Sequence, residues 1–219
     1  MAIIITIGSN SYNQVAVPLY PTAAAQIRID MSDTVATVES PFTKALQTQN
    51  WPGADYWGAT YTLPPLWDGE SAEWEGFLGE LRGRLNVFQM ADPRRLRPRG
   101  NVRGSAPVVN NGTGGVNNAP FTTTLVTSGW RQNVSRVLLR GDRFQIGFRY
   151  HMVCEAVNSD SGGNASVIIW PSLREQPANG AALKLNDPMC LLRLQSNTRG
   201  VDASPGRLAT ISLPCEEVR

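Results

Sequence analysis

Between Phe144 and Cys154 the even positions Phe144, Ile146, Phe148, Tyr150, Met152 and Cys154 are apolar or aromatic, while Gln145, Gly147, Arg149 and His151 between them are small or polar. A repeat of two is the signature of a β-strand, whose successive side chains point to opposite faces. Gly147 permits a hairpin as readily as one straight strand, and either form predicts one buried face. Gly141 and Asp142 supply the turn before this run. After it, NSDSGGN, with Gly162 and Gly163, predicts a second turn, ASVIIW the returning strand, and Pro171 the end of regular pairing. QIRID at 26–30, VATVES at 35–40, LNVFQM at 85–90, LKL at 183–185 and RLATISL at 207–213 predict further short strands.

One segment changes period. In SAEWEGFLGELRG, Trp74, Phe77, Leu78 and Leu81 fall at i, i+3, i+4 and i+7, the stripe of an amphipathic helix over about 70–83. Asp68 is the expected cap, Glu70 and Glu73 complement the positive end of the dipole, Arg82 and Arg84 the other end, and Gly83 the stop. The apolar stripe should pack across a sheet with the acidic side in water. Many short strands, turn-rich spacers and one helix predict a mainly β fold, an antiparallel β-sandwich or small barrel with one prominent amphipathic helix and an extended loop or arm. They argue against a doubly wound nucleotide fold, which needs several crossover helices.

The expected organisation is a β-rich N-terminal region over 1–90, an exposed arm over 91–121 and a β-rich C-terminal region over 122–219 packed with the first. The arm is expected because SAPVVNNGTGGVNNAP is turn-forming and offers no continuous apolar face. Within the same arm, PRRLRPRGNVRG places Arg94, Arg95, Arg97, Arg99 and Arg103 within ten residues.

Length and composition narrow the class. With 219 residues and 42% apolar content the chain can bury a real core. A formal charge of +2 gives no whole-molecule field toward a polyanion. Eighteen of the twenty basic residues are arginine, the planar five-donor side chain that suits protein interfaces as well as phosphate. Cys154, Cys190 and Cys215 form neither a paired disulfide framework nor a metal cluster, so reduced thiols are expected. MAIIITIGSN is too short to span a bilayer and lacks the basic start of a signal peptide, so no membrane-spanning segment is expected.

Candidate chemistry is sparse. His151 is the single histidine, which removes a two-histidine zinc site within one chain. His151 and Cys154 are three apart, on opposite faces of a strand, so a Cys–His nucleophilic pair would need a bulge. Asp68, Glu70, Glu73, Asp142, Asp160 and Asp187 have no spacing that pairs them across a cleft. No phosphate loop of the GxxxxGK[ST] type is present, and no cofactor is expected. The arginine cluster could hold phosphates, yet no aromatic residues interleave with it as in single-strand binders, so no specific nucleic acid is expected. A protein interface is favoured.

In order along residues 45–215, WPGADYWGATYTLPPLW, SAEWEGFLGELRGRLNVFQMADP, GDRFQIGFRYHMVCEAV and NSDSGGNASVIIWPSLR together resemble a tail protein of long-tailed bacteriophages and related prophages, of the distal-tail or tail-tip kind. The resemblance implies a non-enzymatic β-rich scaffold at the virion tail tip, made and assembled in the bacterial host cytoplasm. Its implied partners are its own copies, in a hexameric ring rather than a trimer, together with tail tube, tape-measure and baseplate hub proteins. Trp51, Trp57 and Trp67 match the aromatic features before the helix, and Trp74, Phe77, Leu78 and Leu81 its packing face. Gly141 and Asp142 match the turn before the later strands, and Gly162, Gly163 and Pro171 the following turn and strand exit. The family pattern carries no catalytic residue. A threefold hub component, a tail-associated cell-wall hydrolase and a carbohydrate- or peptide-binding module are the alternatives.

Overall fold

The computed structural model describes residues 3–19, 24–204 and 208–219. Met1, Ala2 and Arg207, which fall within the first apolar run and the last expected strand, lie outside them. In chain order the elements are β1 (Ile3–Ile7), β2 (Asn10–Gln14), β3 (Gln26–Ser32), β4 (Val35–Glu39), β5 (Leu46–Asn50), β6 (Tyr56–Thr62), α1 (Asp68–Leu81), β7 (Phe88–Ala91) and β8 (Val108–Val109). There follow β9 (Thr124–Ser128), β10 (Arg143–Ile146), β11 (Arg149–Val153), β12 (Ala165–Trp170), β13 (Leu183–Lys184), β14 (Met189–Leu194), β15 (Asp202–Ala203), β16 (Ala209–Thr210) and β17 (Ser212–Glu217). The fold is mainly β, and α1 is the one α-helix among the described residues. No helix among them is long and apolar enough to cross a membrane.

Two interleaved compact units replace the expected halves. The first comprises Met1–Met31, Tyr56–Pro93 and Met189–Arg219, the second Ser32–Asp55 and Arg94–Pro188. Strand pairing is the physical reason: β7, β14 and β17 come from distant parts of the sequence yet hydrogen-bond in one sheet.

In the first unit a five-stranded sheet has the order β3-β6-β17-β14-β7. The C-terminal strand β17 is its centre, with Cys215 opposite Ala59 on one side and Leu194 on the other. Helix α1 buries Ser71, Trp74, Phe77, Leu78 and Leu81, as its period predicts. Phe77 stands edge-on between Trp74 and Phe88 of β7, each at 5.4 Å between ring centres. Edge-to-face geometry sets the positive rim of one ring against the negative face of the next. Opposite Leu192 on β14, Leu191 joins Ile5, Ile7, Val87 and Val218 in a second apolar cluster.

The helix begins differently from the expectation. Trp67, extended at φ −77°, is the cap residue and Asp68 the first helical one. Leu66 exchanges two hydrogen bonds with Ala209, which holds the chain extended up to that point. Glu70 accepts the Trp67 N–H at 3.4 Å, the reaching-back half of a capping box. At the other end Arg82 and Gly83 both take positive φ, at 50° and 69°, and unwind the helix.

The second unit is a small barrel. Its six-stranded sheet has the order β13-β10-β11-β12-β9-β8, and its neighbouring strands all pair antiparallel. The two edges nearly meet: Val108 bridges Ala182, the Val109 N–H donates to Ala181 O at 2.8 Å, and the Leu183 N–H to Pro107 O at 3.0 Å. Closure removes the exposed edges that an open sheet offers to other chains. Phe144, Leu125, Val137, Leu138, Val153 and Val167 are among the side chains filling it.

The run from Phe144 resolves into a hairpin. Ile146 pairs with Arg149 across a two-residue loop of Gly147, at φ 56°, and Phe148. Such a loop pairs even positions with odd ones, so His151 lies opposite Phe144 and Tyr150 opposite Gln145. Directly opposed residues share a face. All four are buried, which corrects the expectation of a single buried face.

Candidate assembly interface

The arginine segment does not hang free. Asp142, only 2% exposed, gathers it: Oδ1 accepts the Arg99 backbone N–H at 3.2 Å and its Nε at 3.1 Å, and Oδ2 accepts the Gly100 N–H at 3.3 Å and the Leu139 N–H at 2.8 Å. A buried carboxylate needs such partners to offset its lost hydration. Arg99 also donates to the Arg140 carbonyl, and the Asn101 N–H to that of Arg136. The Arg131 N–H donates to Ser105 Oγ at 3.1 Å. Gly100 sits against the backbone of Val137 and Leu138, where an added Cβ has no room.

The loop over 131–142 is anchored in turn to the barrel. Ser159 Oγ donates to Arg131 O at 2.6 Å and accepts the Val134 N–H at 3.0 Å, and Val137 and Leu138 exchange hydrogen bonds with Val157. Sequence-distant arginines are thereby gathered: Arg94, Arg97, Arg99 and Arg103 from one loop, and Arg131, Arg136 and Arg140 from the other, are exposed, and Arg95 is half-buried. Sequence reasoning found the first group by density. It missed the second because Arg131, Arg136 and Arg140 are scattered, and only hydrogen bonds make their loop a neighbour of the first.

The rest of the expected arm is woven into the barrel, because Val108–Val109 is an edge strand and its asparagines are used as staples. Buried Asn118 donates to Asn110 O, Asn111 Oδ1 and Val126 O and accepts the Val126 N–H at 2.6 Å. Turn-forming composition predicts a loose loop, whereas here buried amides satisfy the backbone.

Trp57 is buried in β6, with its N–H on Glu217 Oε2 at 3.2 Å, whereas Trp51 and Trp67 are exposed. Gly141 takes φ 88° at the turn that Asp142 closes. Asp160 Oδ1 accepts the Gly162 and Asn164 N–H groups, both at 2.8 Å, and Gly163 packs against the Trp130 carbonyl. These bonds hold the Asp160 carboxyl below its usual range, the largest cause being the Asn164 N–H. β12 ends at Trp170, before Pro171, as expected.

His151 and Cys154 serve separate ends. His151 is buried and donates from Nδ1 to the Pro171 carbonyl at 3.0 Å. Burial lowers its pKa to about 4, so the ring is neutral near pH 7. Burial raises the Cys154 thiol, which favours the unreactive protonated form. Among the described residues no group of three His, Cys, Asp or Glu side chains could hold a metal ion.

A second exposed feature is the ribbon of β4 and β5. The strands pair from Val35–Asn50 to Glu39–Leu46, and Lys44 holds Glu39 at 2.9 Å across the tip. Val35, Val38, Phe42 and Leu46 all point to solvent, Phe42 at 95% exposure. In comparisons with known proteins, no family model and no curated protein matches the chain.

Proposed function

We propose that the chain is a structural subunit of a bacteriophage tail tip, a distal-tail ring component that joins the tail tube or tape-measure end to the baseplate hub. Its work is assembly, with no bond made or broken. The observation that carries the reading is the β4–β5 ribbon, whose outward apolar residues gain nothing in water and gain buried area against a neighbour. A two-stranded ribbon is marginal by itself, so a partner would also order it. The mainly β fold agrees with the scaffold that the sequence resemblance implies.

A ring of identical subunits repeats each contact around the axis, so modest interfaces suffice to fix one assembly. Sixfold symmetry is the arrangement favoured, with the tube above and the hub below as neighbours. Near-atomic imaging of tails from a strain producing the particle tests this directly: density for the chain in a ring at the distal end supports it. Intact tails lacking the chain overturn it. Replacing Phe42 and Val38 with serine should reduce incorporation into tails while leaving the thermal unfolding of the isolated chain unchanged.

A further inference from the structure

Charge is divided unequally between the two units. The first has seven basic and ten acidic residues, the second thirteen basic and eight acidic. A near-neutral chain therefore consists of an acidic unit and a basic one.

The basic excess is displayed on the arginine face just described, where the one carboxylate that binds the loops together, Asp142, is buried beneath them. Among the described residues Asp142 pairs with Arg99 alone, and Arg97, Arg103, Arg131 and Arg136 are exposed.

The acidic excess is displayed on α1. Glu70, Glu73 and Glu80 line a groove whose other wall is the chain at Val17, Pro18 and Leu19. These three acids share one side of the helix, and Glu73 and Glu80 stand two turns apart, about 10 Å along the axis. Gly76 lies between them, and both it and Gly79 face open space where a Cβ would meet nothing. Glycine at an exposed helical position is costly relative to alanine, and no internal packing requires it here. What it does provide is clearance for a long side chain to lie across the helix between two carboxylates. With Phe77 and Leu19 also lining it, the groove combines apolar wall and acidic rim. Arginine matches both, since its stem is apolar and its planar head binds carboxylate through two parallel hydrogen bonds.

We infer that the arginine face of the second unit binds the acid-rimmed groove on α1 of a second copy of this chain, head to tail. The inference deepens the assembly reading above and rests on it for its biological setting. Each copy carries both halves of the contact, so the association is heterologous, and it closes into a ring when the rotation between copies permits. Complementary charge on the two faces also disfavours face-to-face pairing of like surfaces.

The test uses the full chain and two double variants, Arg95→Glu/Arg97→Glu and Glu73→Arg/Glu80→Arg. Sedimentation velocity at ~50 mM and ~500 mM salt should show wild type self-associating at the lower and dissociating at the higher concentration. Each variant alone should associate at least ~10-fold more weakly. An equimolar mixture of the two should associate again, because the reversed face of the first variant meets the reversed groove of the second, and the unchanged face of the second meets the unchanged groove of the first. Wild type that stays monomeric at both salt concentrations overturns the inference, as do variants that associate like wild type, or a mixture that stays monomeric while each variant melts like wild type. A short DNA duplex that binds the arginine face of a monomer in preference to a second copy also overturns it. If a reversal unfolds the chain, Arg95→Gln/Arg97→Gln and Glu73→Gln/Glu80→Gln supply the single-variant comparison with side chains of similar size. Failure of the charge exchange with the chain still present in tails sinks this contact alone; absence from tails sinks the tail reading.

Discussion

One oxygen of the buried Asp142 carboxylate accepts two hydrogen bonds from Arg99, from its backbone N–H at 3.2 Å and from its Nε at 3.1 Å. A single interior charge thus fixes both the path of the arginine loop and the direction of one of its side chains. Arg99 is tied down by this bond, while Arg97 beside it is exposed.

Replacing Asp142 with alanine should cost about 2–4 kcal/mol, because it strands the N–H groups of Gly100 and Leu139 as well as Arg99. Asp142→Asn should fall nearly as far, since its NH2 group would meet donors. Arg99→Ala, at a half-exposed side chain, should cost only about 1 kcal/mol. Urea unfolding of the three variants measures the order.

Gly100→Ala should destabilise the chain by roughly 1–3 kcal/mol, because the new methyl group meets the Val137 backbone, which cannot rotate away as a side chain can. Gly104→Ala is the contrasting case. There a Cβ would meet nothing, and φ of 77° is the sole source of strain. Thermal unfolding should therefore show the larger shift at Gly100.

His151 makes stability depend on acidity. Its folded pKa of about 4 lies below the ordinary 6.5, so the unfolded chain binds more protons between those values. Stability is full above pH 6.5 and falls as pH drops toward 4, by about 3 kcal/mol at most from this group. Denaturant midpoints measured across that window should slope upward with pH in wild type. In His151→Phe the share of the slope due to the imidazole should disappear, even though the hydrogen bond to Pro171 is lost.

Trp74→Ala removes a fully buried side chain from the helix–sheet seam, along with its edge-on contact to Phe77. A loss of about 3–5 kcal/mol is expected. Trp67→Ala, at a ring 65% exposed, should fall within about 0.5 kcal/mol of wild type. The difference between the two is read from parallel urea titrations.

Local periodicity carried much of the architecture into the sequence. The stripe of Trp74, Phe77, Leu78 and Leu81 specifies a one-faced helix wherever it packs, because 3.6 residues per turn leaves no other grouping. Alternation marked β3, β4 and the Phe144 run, and glycine and proline marked their ends. β14 carries no alternation to mark it: in MCLLRL, between β17 and β7, the buried residues Cys190, Leu191 and Leu192 are consecutive and fall on both faces. TLVTS of β9 was hidden in a polar neighbourhood.

Of the candidate interface, one dense arginine segment is legible before folding, since density is a local property. Tertiary structure decided everything that depends on which residues meet. It paired His151 with Phe144 through a two-residue loop, tied the loop of Arg131, Arg136 and Arg140 to that of Arg99 and Arg103 through Asp142 and Ser105, and put the C-terminal strand at the centre of a sheet. Hydrogen bonds between strands and loops join residues tens of positions apart, and a chain's local pattern holds no record of which distant partner will satisfy each donor.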